Sequence, residues 1–150
     1  MAANTGKIRV LFLCTHNQAR SQMAEGLLRH LGGERYEVFS AGSLPAEQIH
    51  PLAVKAMAEI DVDISQQQTK HLDQFQDQFF DYIITTCDRI RATCPTFPND
   101  PERIHWNLPD PAEVEGGEEE RLESFQQVAD LLRNRIRIFV QLPAPERLRS

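Results

Sequence analysis

Apolar positions in this chain alternate between short dense runs and stretches spaced three or four apart. Residues 7–13, with Ile8, Val10, Leu11, Phe12 and Leu13, predict a buried parallel strand. Residues 21–31 place Met23, Ala24, Leu27, Leu28 and Leu31 on one helical face, and Gly32-Gly33 supplies the stop. Tyr36 to Ser40 predicts a second strand, closed by Ala41-Gly42. A second helix is expected from Pro51 to Ile60, with proline in its first turn. Residues 65–80 are polar and glutamine-rich, and predict a loop with a short helix around Leu72 to Phe75.

Tyr82 to Thr86 reads as a third strand, Asp88 to Thr93 as a short helix, and Ile104-His105-Trp106 as a fourth strand. The last helix runs from Glu118 to Leu142, with glutamates at its start and Arg133, Arg135 and Arg137 near its end, as the helix dipole favours. The tail from Pro143 to Ser150 is polar and expected to fray. Strands alternating with helices predict an α/β fold. We expect one domain over residues 1–150, with a core from about 7 to 142. It would have three α/β/α layers around a mostly parallel four-stranded sheet.

In such sheets, ligands bind beyond the C-terminal ends of the strands. Cys14 follows the first strand, Cys87 the third, and Asp110 lies in the loop after the fourth. Three reactive residue types therefore converge on one edge.

Cys14 opens the loop Cys14-Thr15-His16-Asn17-Gln18-Ala19-Arg20-Ser21 between a strand and a helix. Loop amides and a helix N-terminus make a cradle for an anion. Arg20 adds a planar fork of donors. The same field is expected to lower the Cys14 pKa and hold it as a thiolate. Ser21 could hydrogen-bond that thiolate and cap the helix. Residues Thr15 to Arg20 would surround a tetrahedral oxyanion, with His16 and Gln18 either binding it or facing solvent. Asp110 reads as a general acid for a leaving oxygen.

Cys87 and Cys94 would lie roughly 10 Å apart across a helical segment. A disulfide needs Cα atoms about 4.4–6.8 Å apart, so the pair closes only if that segment unwinds. The two are either unrelated buried thiols or a dithiol relay.

Composition narrows the classes. The net charge of -6 and pI near 5.3 do not suggest a nucleic-acid binder. No stretch approaches the roughly 20 apolar residues of a membrane span. The first residues lack an apolar signal core, so a cytoplasmic protein is expected. An odd count of three cysteines argues against a disulfide framework. The spacing of Cys87 and Cys94, without paired histidines, argues against zinc. His30, His50, His71 and His105 form no metal-like spacing and are expected to be structural or exposed.

The chain resembles the thioredoxin-coupled arsenate reductases built on the low-molecular-weight protein tyrosine phosphatase fold. The resemblance rests on Cys14-x5-Arg20-Ser21-Gln22-Met23-Ala24-Glu25, Ser40-Ala41-Gly42, Val62-Asp63-Ile64-Ser65, Cys87-x6-Cys94-Pro95, and His105-Trp106 followed by Asp110-Pro111-Ala112. It departs at His16 and Gln18, where small residues are usual, and at Ala19, often a further cysteine. The resemblance implies a relay in which Cys14 attacks arsenate, Cys87 attacks Cys14 to release arsenite, and Cys94 attacks Cys87. Thioredoxin, or alternatively glutaredoxin, would reduce the final disulfide. It also implies a potassium ion held by Asn17, Glu25, Ser40 and Asp63. Phosphate or sulfate would mimic arsenate, and the protein is expected to be a monomer.

Two other readings compete. A tyrosine phosphatase would use Cys14, Arg20 and Asp110 on phosphate. Ala112 and Glu113 stand where such enzymes usually place aromatics, although weak phosphatase activity could persist. A non-enzymatic oxyanion or redox sensor would use the cradle and the thiols, but would need no general acid.

Overall fold

A computed structural model of the chain describes residues 6–149. The reading of the first residues as lacking a signal core falls on Met1 to Thr5, outside the described residues.

Strand β1 (Ile8–Cys14) is buried along its whole length. Its side chains alternate between two apolar clusters, as the two-residue period of a strand requires. Ile8, Val10 and Phe12 enter one, and Leu11 and Leu13 the other. Because both faces are covered, β1 reads as one continuous apolar run. It pairs in parallel with β2 (Tyr36–Gly42) on one side and β3 (Tyr82–Thr85) on the other. β3 pairs in parallel with β4 (Glu102–His105), giving the order β2-β1-β3-β4.

Helices α1 (Arg20–Gly32) and α4 (Glu118–Phe139) pack on each other, and α1 covers β1 and β2. Helix α2 (Pro51–Ala58) packs on α4. The opposite face carries a thinner layer. Short α3 (Asp88–Thr93) contributes Ile90, and a turn of 3-10 helix at Leu72–Gln74 contributes Leu72. Phe75, Phe80 and Phe97 complete this layer. Arg9 is buried within it. Its guanidinium lies over Phe39 and Phe80 and donates to Glu37, Gln78 and the Phe79 carbonyl.

Several boundaries differ from expectation. β2 runs on to Gly42, because Cys14 and Gly42 stay in register. β4 starts at Glu102, before Ile104; it is an edge strand, so its first residues can be polar and exposed. The last helix stops at Phe139.

The tail is not frayed. Glu146–Leu148 forms a 3-10 turn, and Leu148 packs against the core. Arg147 Nε donates to the buried carboxylate of Asp81 at 2.8 Å, and its Nη2 to the Lys7 carbonyl at 2.7 Å. A charge-assisted bond to a buried partner holds the chain end down.

Candidate active site

The loop from Cys14 to Arg20 is pinned from outside by the strap at residues 44–50. The carbonyls of Thr15, His16 and Gln18 accept from the amides of Leu44, Ala46 and His50, each at 2.9 Å. In a trans peptide the carbonyl and the following N–H point in opposite directions. The amides of His16, Asn17 and Ala19 are therefore turned away from the strap, toward a concavity lined by donors of the kind that suits an anion. Gly42 permits the close approach: a Cβ there would lie 2.5 Å from the Thr15 carbonyl oxygen and 2.8 Å from that of Cys14.

Asn17 adopts φ 52°, a left-handed conformation that asparagine tolerates better than most residues. Its buried side chain is fully engaged. Oδ1 accepts from Gln22 Nε2 and the Lys70 amide, both at 2.9 Å, and Nδ2 donates to Ser21 Oγ at 2.8 Å. Ser21 thus differs from expectation. Helix α1 starts at Arg20 with Ala19 as its N-cap and no side-chain cap. Ser21 supports Asn17 rather than capping the helix.

Cys14, His16, Asn17, Gln18, Ala19, Arg20 and Asp110 line one small cleft. Of the expected cradle residues only Thr15 is absent from its wall. Arg20 is mostly buried; its Nη2 lies 3.5 Å from Asp110 Oδ2, and its Nη1 donates to the Leu108 carbonyl at 3.1 Å. Asp110 Oδ1 also accepts from the Ala112 amide at 3.0 Å, fixing the carboxyl at the start of the turn Pro111–Glu113. No aromatic side chain borders this cleft among the described residues. His16 is exposed and Gln18 half-buried.

Thr15 instead faces Cys87. Its Oγ1 lies 3.2 Å from the Cys87 sulfur. Cys87 precedes α3 as its N-cap residue and is a hydrogen-bonding neighbour of Cys14. The Cys87 thiol is pulled down to about 4, first by the hydrogen bond from Cys14. Burial opposes this, and the Thr15 hydroxyl with the amides of Ile90 and Thr15 reinforces it. Cys14 is pushed up, first by the same bond and then by burial, against the pull of Arg20. The direction at Cys14 is opposite to the lowering expected from Arg20 and the helix start. The two shifts run in opposite directions because the sulfurs share one hydrogen bond. Moving the proton across one hydrogen bond transfers the thiolate to Cys14.

Helix α3 is intact between Cys87 and Cys94, and all three cysteines are free thiols. Cys94 is half-buried; burial raises its thiol and Arg103 lowers it. Arg103 Nη1 donates to its sulfur at 3.1 Å, and Nη2 to the Pro95 carbonyl at 2.9 Å. Asp88, at the start of α3, is tied to β4 through His105 Nε2 at 2.9 Å, while His105 Nδ1 meets Thr85 Oγ1 at 2.7 Å. Neither Arg103 nor this use of His105 was foreseen. Their signal lies in the β3–β4 register, which pairs Thr85 with His105.

The expected potassium ligands do not all converge. Asp63 is exposed and accepts from the Ser65 amide in a local turn. Glu25 is buried; its Oε1 accepts from Ser40 Oγ at 2.5 Å and lies 3.5 Å from Lys70 Nζ, and its Oε2 accepts from Arg29 at 2.6 Å. The Asn17 oxygen is already committed. As arranged, these residues do not fit a potassium ion.

Residues 9–148 match the low molecular weight phosphotyrosine protein phosphatase family. The arsenate reductase of Halalkalibacterium halodurans is 42% identical over 132 residues, covering 88% of this chain and 94% of the relative. That of Bacillus subtilis is 40% identical with the same coverage. Among solved structures, a thioredoxin-dependent arsenate reductase of Corynebacterium glutamicum is 35% identical with a TM-score of 0.62, covering 91% of this chain and 65% of its own. An arsenate reductase in its oxidised state aligns with a TM-score of 0.76 at 29% identity, over 88% and 95% of the two chains.

Proposed function

The chain belongs to the low molecular weight phosphotyrosine protein phosphatase family, and within it we propose that it is an arsenate reductase working through three thiols. The observation that carries the proposal is the placing of Cys87 in the same buried cluster as Cys14, with Thr15 Oγ1 3.2 Å from its sulfur, beside Arg20 and Asp110. A phosphatase needs the first cysteine, the arginine and the acid, but has no use for a second thiol beside the nucleophile.

The Cys14 thiolate forms a bond to the arsenic of arsenate held by the loop amides and Arg20. One arsenic–oxygen bond breaks, and Asp110 in its acid form gives its proton so that the oxygen leaves as water. Cys87 gives the proton it took from Cys14 to solvent and, as thiolate, attacks the Cys14 sulfur. The sulfur–arsenic bond breaks, its electron pair stays on arsenic, and arsenite departs. Two thiols have become a Cys14–Cys87 disulfide, and arsenic has gained two electrons. Cys94 then attacks Cys87, returning Cys14 as thiolate and leaving a Cys87–Cys94 disulfide.

The last step needs Cys94 to reach Cys87, so α3 must unwind. Six residues with one buried side chain make a helix of low intrinsic stability. Its tie through Asp88 and His105 is half in solvent. We assign thioredoxin as the reductant, supported by the named donor of the Corynebacterium relative. A cytoplasmic setting agrees with a cycle that starts from three free thiols. Among the described residues, no helix is long and apolar enough to cross a membrane.

A coupled assay with arsenate, thioredoxin, its reductase and NADPH tests this. Turnover is expected in the native protein and not in Cys87→Ser or Cys94→Ser. Turnover of Cys94→Ser with glutathione and glutaredoxin would assign a different donor. Rapid hydrolysis of a phosphotyrosine analogue with arsenate inert would overturn the reductase reading.

A further inference from the structure

Lys70 touches the anion loop at Asn17 and two of the loop's neighbours, Gly42 and Glu25, although it lies in the glutamine-rich stretch and outside every helix and strand. Its amide donates to Asn17 Oδ1, and its carbonyl accepts from the Gly42 amide, both at 2.9 Å. Its ammonium donates to the Gln68 carbonyl at 2.6 Å and lies 3.5 Å from Glu25 Oε1. The backbone of one residue thus braces both Asn17 and Gly42, the positions that set the loop's shape, while its side chain reaches the carboxylate beneath.

Glu25 is nearly buried, at 6% side-chain exposure. A buried carboxylate needs counter-charge and hydrogen bonds. One oxygen has Arg29; the other has only the Ser40 hydroxyl and the Lys70 ammonium. Around Lys70 Nζ stand a carboxylate, a carbonyl and, through Glu25, a hydroxyl. Oxygen donors of this kind suit a hard cation. Here the cation is covalently part of the chain.

We infer that Lys70 is a tethered counter-cation which braces the anion loop through Glu25 and Asn17, so that the loop needs no free monovalent cation. Tethering removes the concentration dependence that a dissociable ion would bring. The inference concerns the loop and not the fate of the bound anion, so it stands apart from whether arsenate is the substrate.

The probe is inorganic phosphate, titrated calorimetrically in potassium chloride and in tetramethylammonium chloride at equal ionic strength. The native protein is expected to bind phosphate equally in the two salts. Lys70→Met, which keeps the stem and loses the charge, is expected to bind about fivefold more weakly in tetramethylammonium and to recover in potassium. Lys70→Arg retains a cation and is expected to stay indifferent to the salt. Tighter binding by the native protein in potassium would overturn the inference. So would Lys70→Met binding at native strength in tetramethylammonium, weakness that potassium fails to relieve, or a potassium response in Lys70→Arg. Should Lys70→Met not fold, the native and Lys70→Arg titrations decide alone.

Discussion

The thiols of Cys14 and Cys87 are hydrogen-bonding neighbours across the ends of β1 and β3, with Thr15 Oγ1 3.2 Å from the Cys87 sulfur. This places the attacking group of a second step against the atom it must attack.

Cys87 titrates near 4 because Cys14 donates to it. Its folded pKa lies below the ordinary thiol value, so the thiolate stabilises the fold fully above about pH 9, and that contribution fades as pH falls toward 4. Thiolate absorbance in the ultraviolet is expected to report one thiolate already present at neutral pH. In Cys14→Ser the largest cause is weakened, and the Cys87 midpoint should rise. An unchanged midpoint would place the charge elsewhere.

Gly42→Ala would drive a Cβ into the Thr15 and Cys14 carbonyls, which are backbone and cannot rotate aside. Overpacking of this kind costs about 1–3 kcal/mol. Phosphate affinity measured by calorimetry should fall with the melting temperature, because the clash distorts the cradle itself.

Asp110→Asn keeps the side-chain oxygen that accepts from the Ala112 amide, yet has no proton to give. Arsenate turnover is expected to drop about a hundredfold, within the usual range for a general acid. Phosphate binding should persist. Equal turnover in the two proteins would remove Asp110 from the chemistry.

Arg103→Gln takes the guanidinium from the Cys94 sulfur. Arg103 is exposed, so the effect is screened, and a three- to tenfold slower closure of the Cys87–Cys94 disulfide is expected. Rapid-quench trapping with a thiol reagent measures it. The step that releases arsenite should keep its rate.

Much of the site was legible because its determinants are local. An apolar run ending in Cys14, followed by polar loop residues and an arginine at a helix start, announces a strand–loop–helix cradle. The parallel-sheet rule brought Asp110 and Cys87 to the same edge. What escaped depends on pairing between distant segments. The neighbourhood of the two sulfurs is set by the β1–β3 register, which seats Cys87 beside Thr15 and Cys14. The start of β4 was hidden because an edge strand need not look apolar. Lys70 gives no periodic signal, and its role follows from the burial of Glu25. The docked tail depends on contacts between distant parts of the chain, among them the ion pair of Arg147 with Asp81. Ser21 was misread because a serine near a helix start suggests a cap, whereas the helix begins one residue earlier.

The relay is tested most directly by a single turnover without external reductant. Cys94→Ser, fully reduced and mixed with excess arsenate, is predicted to release one arsenite per chain and to accumulate a Cys14–Cys87 disulfide, read by non-reducing peptide mass spectrometry. Cys87→Ser should release none. Equal arsenite from both variants, or arsenite from Cys94→Ser without that disulfide, would contradict the account.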